Sequence, residues 1–451
     1  MKKLPLLFED HVPGSVAGSA RSGLARGVFL ILLIFLGTRV VTWTSAYYGA
    51  FALLRIEQGL DPPFEKHYKA WRELASQGKQ PEAYDEAREL LGNFAPLCRF
   101  DGVHYRSIIG GGYQYEKPAP GETRRAKLEQ NIAFFPLYPA LCSPLAEGLG
   151  AHAAMILVAH VCALAAGILL YLWVRRRVDE ATAIFTIATL FCWPASVYYS
   201  FGYAESTTLL AFVIALWLMD RRAFLPAAVA CGLATASRPT ALPIAAVFAL
   251  AYWLNEPSTR GRRLARLVPL GIVTGAGIIA YAVYLTARFG SPLVYLDNFR
   301  AGWVTEAQRS TWFEYLTFAR VWDQFKYVGR LFEAFPAGLV NAANPLMWNM
   351  PLNLFILFLS LAGLSRVPRS FRPLLALGPL IFLHAYLASG GATFGVEPVA
   401  RYTAVSVPAF IVLAAWCTRE WRAGYRCALV TGFVLLQAAW AYRFGLQEWS
   451  G

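Results

Sequence analysis

Charged side chains are scarce in this sequence, 15% of 451 residues against 57% apolar ones. That balance excludes an ordinary soluble domain, where about a quarter of residues carry charge. Cysteine is sparse too: seven residues, mostly inside apolar runs, with no CxxC or metal-type spacing. A zinc ribbon and a disulfide framework are thereby excluded, and most of the thiols read as small apolar packing groups. Cys98 and Cys142 both fall on segments read as outer, with nothing to show that they pair. No internal repeat of the kind that marks many transporters is present. Acidic residues are the rarer sign, and the net charge is +13. The basic excess does not point to nucleic acid, because it sits in short connections between apolar runs: Arg175–Arg177, Arg221–Arg222, Arg260 to Arg266, Arg366 to Arg372 and Arg419 to Arg426. That is the pattern of cytoplasmic loops.

What the sequence has in abundance is continuous apolar runs of roughly 17–25 residues, each long enough to cross a hydrocarbon core. The runs do not alternate, so they read as helices, and the fold class is an all-α polytopic membrane protein. Residues 1–26 form a basic cytoplasmic tail, and 27–51 the first transmembrane helix. The first span reads as retained, since its leading tail is long and no small-residue cleavage site follows. Residues 52–150 make a first outer loop, with short amphipathic helices expected between Pro62 and Leu91. Within it, 131–150 is apolar but carries Pro136, Pro139 and Pro144, which argue for an interfacial or re-entrant segment over a straight span. Residues 151–287 hold transmembrane helices, 288–342 a second outer loop, and 343–451 the C-terminal transmembrane helices. The expected total is about eleven spans, including single helices near 267–287 and 402–417. Two long loops on one face and short basic ones on the other place the chemistry outside.

Several residues stand out on that outer face. In FDGVHYRSIIGGGY (100–113), helical spacing puts Asp101, His104, Tyr105 and Ile108 on one face. Asp101 fits two roles: N-cap of a short helix ended by Gly110–Gly112, or a general base beside His104. Glu205 opens a span, where an acid is costly unless paired or facing a wet cavity. Arg238, in ASRPTAL (236–242), and Arg401, followed by Tyr402, lie at outer ends of spans against the positive-inside trend. An anionic ligand would explain both, since guanidinium grips phosphate bidentately; snorkelling or structural pairing is the plainer alternative.

Four stretches in order, FDGVHYRSIIGGGY, AFFPLYP (133–139), PASVYYSFGYAES (194–206) and ASRPTAL, resemble the PIG-V-type mannosyltransferases, relatives of the GPI mannosyltransferase that adds the second mannose, bacterial members included. ARYTAVSVP (400–408) adds to the likeness. Phe100 replaces a common Trp, and ASRPTAL departs from the usual Arg-Ser-Asn-Gly type of sequence. The resemblance implies a GT-C-like glycosyltransferase fold in a bacterial plasma membrane, with its active site on the extracytoplasmic face. It implies a polyprenyl-phosphate sugar donor and a glycolipid or glycan acceptor, with Asp101 as base. His104 would assist catalysis, and Tyr105, Glu205, Arg238, Arg401 and Tyr402 would bind substrate. No dedicated metal site or certain cofactor is visible; a divalent cation bridging Asp101 and a phosphate stays an open alternative. So do a carrier or flippase for a lipid-linked substrate, a non-catalytic assembly subunit, and a GT-C transferase acting on protein or other lipid acceptors.

Overall fold

A computed structural model describes residues 17–57, 92, 94–117, 119, 129–303, 311–329, 344–388 and 398–447. The first part of the basic tail, the expected amphipathic helices between Pro62 and Leu91, and parts of the second long loop lie outside the described residues. All regular structure among the described residues is helical.

Helix α1 runs Ala17–Glu57, α2 Asp101–Gly111, α3 Leu137–Leu149 and α4 Ala151–Arg177. Next come α5 Glu180–Cys192, α6 Glu205–Asp220, α7 Phe224–Ser237 and α8 Leu242–Asn255. Helices α9 Arg260–Thr274, α10 Ala276–Phe289 and α11 Val294–Trp303 lead into the second loop; α12 Pro345–Gly363, α13 Leu377–Ala388, α14 Val407–Glu420 and α15 Ala423–Gly445 close the chain. Four of these helices are long and apolar enough to cross a bilayer: α1 over Gly23–Arg55, α4, α12 and α15. A fifth crossing is available if α9 and α10 count as one.

The straight span expected at 267–287 is instead this α9–α10 pair, bent by 53°. Pro269 lies inside α9 and removes one ladder bond, and Gly275 forms the junction. The span expected at 402–417 is likewise two pieces, a single turn at Val399–Thr403 and then α14 from Val407. Pro408 is tolerated because it occupies the first turn of α14, where a missing N–H costs nothing. Helix α3, 13 residues with Pro144 inside it, is about 20 Å long, short of a hydrocarbon core of about 30 Å.

Helix α4 lies at the centre, packed by α3, α5 and α6, with α7 behind α6 and α14 against α5. The last helix returns to the first, and the approach of α15 to α1 is backbone to backbone. A Cβ on Gly49 would sit 2.0 Å from the Tyr442 carbonyl oxygen, and one on Gly445 2.0 Å from that of Ala46. Small residues permit this dispersion-rich contact where no hydrophobic drive exists between lipid-bathed helices. At one end of α6, Asp220 pairs with Arg177 of α4, and Arg176 and Arg221 stack over Trp217. Glu205 opens the other end of α6, about 22 Å away. That separates the basic belt from the site described next.

Candidate functional site

Two turns joined by hydrogen bonds bring the site together. The turn Ala95–Leu97, with Pro96 fixing the φ of its second residue, leads to Phe100 at φ 52 and then into α2. Asp101 is therefore the first residue within the helix; Phe100 holds the cap position, and no side chain caps it. This corrects the N-cap alternative. Facing this turn is the loop Pro194–Ala204, bonded through Gly202 N–H to the Leu97 carbonyl (2.9 Å) and Tyr203 O–H to that of Arg99 (3.0 Å). Gly202 permits this close approach, since a Cβ there would lie 2.7 Å from both Cys98 Sγ and Met155 Cε and would make those side chains shift. The loop ends at Glu205, whose charge sits at the positive end of α6. Ser237, ending α7, bonds the Thr207 and Thr208 hydroxyls at 2.7 and 2.9 Å. That brings the adjacent Arg238 to Glu205.

Four charges meet there. Arg401 donates from Nη2 to Asp101 Oδ2 and from Nε to Glu205 Oε1, while Arg238 Nη1 engages the same Oε1. Arg401 and Glu205 are 2% and 6% exposed, Arg238 11% and Asp101 16%. Two guanidiniums cancel two carboxylates, so the cluster is neutral as a whole. Burial opposes the Arg401 charge, but Asp101 and Glu205 outweigh it and hold its pKa well above the usual arginine value. Among the described residues Asp101 Oδ1 accepts no hydrogen bond, and Glu205 Oε2 is buried with no partner. Aromatic rings frame the cations: Tyr198 and Tyr203 each lie 4.6 Å from Arg401, and Tyr402 lies 5.2 Å from Arg238 and 5.9 Å from Arg401.

The structure thus brings Asp101, Glu205, Arg238, Arg401 and Tyr402 together, from sequence positions up to 300 residues apart. Tyr105 is buried beside them, its ring edge-on to Phe134 and Tyr138, and burial pushes its phenol pKa up. His104 stacks on Phe134 with centroids 4.5 Å apart; the group on the Asp101 carboxylate is Arg401 rather than His104. Sequence reasoning missed the roles of Tyr198 and Tyr203, although the motif containing them was legible. It also missed Arg39, a basic residue inside the first apolar run. Among the described residues no group of three or more His, Cys, Asp or Glu side chains could hold a metal. Cys98 and Cys142 are both buried free thiols.

No protein-family model matches the chain, and no curated protein matches it. Among solved structures it is similar to the Archaeoglobus fulgidus oligosaccharyltransferase in its apo form, with TM-score 0.40, 12% identity, and coverage of 77% of this chain and 52% of that one. The same archaeal enzyme in complex with Zn and sulfate gives TM-score 0.39, 14% identity, and coverage of 75% and 48%. AglB from the same organism, in complex with an inhibitory peptide and a dolichol-phosphate, gives 0.36, 14%, 75% and 51%. This chain spans about half the length of those proteins. A likeness at that level carries no argument about activity.

Proposed function

We propose that the chain is an inverting membrane glycosyltransferase that moves a hexose, mannose first among candidates, from a polyprenyl-phosphate donor to a hydroxyl of a lipid-linked or surface glycan. The observation that carries this reading is the state of Asp101. One carboxylate oxygen is fixed by Arg401, while the other accepts no bond among the described residues on a side chain 16% exposed. A base needs that combination of orientation and access.

In the reaction, the acceptor oxygen attacks the anomeric carbon and its proton passes to Asp101 Oδ1. The bond from that carbon to the phosphate oxygen breaks on the opposite face, and its electron pair leaves with the lipid phosphate. Arg401 holds and aims Asp101, and Glu205 with Arg238 keeps Arg401 in place. Arg238 spends one nitrogen on Glu205, so its remaining N–H groups can meet the departing phosphate. Tyr402, Tyr105 and His104 line the approach and orient the substrates. The four-charge cluster lies at the end of α6 opposite the Arg177 and Arg221 belt, which favours the extracytoplasmic face.

The test incubates membranes containing the protein with radiolabelled polyprenyl-phosphate mannose and, separately, glucose. Label should move to a new glycolipid or glycan. Movement of intact donor across the bilayer without transfer would replace the enzyme by a carrier. Loss of transfer on chelation would add a divalent cation to the site.

A further inference from the structure

Arg39 sits within the first span, 4% exposed, and nothing in the transfer mechanism uses it. A charge at that depth is costly unless something compensates it. Its Nη1 donates to Ser200 Oγ, and the rings of Phe35 and Phe191 cover the guanidinium at 4.7 and 5.3 Å. No carboxylate reaches it among the described residues, and its Nε and Nη2 are buried without partners. Those two N–H groups lie on the same edge of the guanidinium plane and form its side-on fork. In Arg401 the equivalent edge is divided between Asp101 and Glu205. In Arg39 it is open.

The surroundings say what would fill it. Phe35, Arg39 and Trp43 share one face of α1 by i, i+4 spacing. His160 of α4 is edge-on to both rings, at 6.0 and 5.2 Å, so it lies across from Arg39. His160 Nδ1 is 2.7 Å from the Ile156 carbonyl, which can only accept; the proton is therefore on Nδ1, and Nε2 is a bare acceptor, buried without a partner. The Trp43 indole N–H, on the ring that packs against His160, and the Tyr199 hydroxyl, close enough to Arg39 to interact with its charge, are also buried and unpartnered. The site thus offers a donor fork, two further donors and one acceptor.

We propose that Arg39, His160, Trp43 and Tyr199 bind a phosphate monoester or inorganic phosphate in its protonated monoanion form. The fork would hold two phosphate oxygens, and the P–OH would donate to His160 Nε2. A phosphodiester has no P–OH and leaves Nε2 unsatisfied, so the site separates a free lipid phosphate from a sugar-bearing one. It lies deeper than the Asp101 cluster: Met155 packs at Gly202, and His160 is five residues further along α4, about 7.5 Å. The proposal is independent of the transfer reading.

The experiment measures thermal unfolding of detergent-purified protein with inorganic phosphate, dodecyl phosphate, methyl dodecyl phosphate or dodecanol. Saturable stabilisation by dodecyl phosphate is expected, with the methyl diester at least about tenfold weaker and dodecanol inactive. Stabilisation by inorganic phosphate alone would identify the free ion as the ligand; stabilisation only with the alkyl chain attached would identify a lipid headgroup. Arg39→Gln should lose the effect, and Arg39→Lys, which keeps the charge without the fork, should weaken it about tenfold. His160→Gln should narrow the gap between monoester and diester. Wild-type protein that ignores both phosphates, or responds equally to dodecanol, would overturn the proposal. An Arg39→Gln or Arg39→Lys protein that responds as wild type does would overturn it as well.

Discussion

Replacing Arg401 by Gln tests the four-charge cluster most sharply. The side chain is 2% exposed and holds both Asp101 and Glu205. Its loss strands Asp101 Oδ2 and leaves Glu205 with Arg238 as its remaining cation at this site. Breaking a buried ion pair by removing one partner costs about 3–5 kcal/mol. Arg238 recovers part of that for Glu205, and the partial exposure of Asp101 recovers a little more. The expected loss is therefore about 3 kcal/mol, the low end of that range. Adding Glu205→Gln removes the carboxylate that Arg401 had balanced. The double variant should thus lose less than the sum of the singles, with a coupling of about 1–3 kcal/mol. Equilibrium unfolding in mixed micelles on wild type, both singles and the double reads this cycle. Additivity within about 0.5 kcal/mol would show that the two side chains do not share a site.

Three further outcomes follow from the same geometry. Gly202→Ala should force apart the loop and the Asp101 turn, since its Cβ would meet Cys98 Sγ and Met155 Cε at 2.7 Å; transfer should fall at least tenfold while the helical circular-dichroism signal stays. Gly445→Val should destabilise the protein by at least about 1–3 kcal/mol, because its Cβ would lie 2.0 Å from the Ala46 carbonyl oxygen; a lowered unfolding midpoint checks this. Cys427 is exposed just after Arg422 and Arg426, whereas the other six cysteines are buried. In native vesicles a maleimide should label Cys427 alone, from the cytoplasmic side.

Much of the site was legible because membranes penalise it. Glu205 at the start of an apolar run and arginines at the ends of others are expensive, and expense marks them out in an otherwise apolar sequence. Asp101 was visible through its helix spacing and the family-like stretch around it. What was not legible is how the charges divide. The sequence shows arginines at the ends of apolar runs; it does not show that Arg401 splits its fork between two carboxylates. A phosphate would have to compete for that edge. Arg39 was concealed differently, since a single cation in a long apolar run leaves the run looking like a span. The bend at Gly275 escaped because Pro269 signals a break without giving its angle. Tyr198 and Tyr203 lie in a family-like stretch, but nothing in the sequence shows that the loop carrying them folds inward onto Arg401.

The most direct measurement compares transfer of labelled hexose from a polyprenyl-phosphate donor by wild type and by Asp101→Asn, which keeps the shape of the side chain and removes its basicity. The account predicts a fall of about 10²–10⁴-fold in protein that still folds, with donor binding close to wild type and a lowered unfolding midpoint, because Arg401 loses one of its two carboxylates. An Asp101→Asn protein that folds and transfers at the full rate would contradict it.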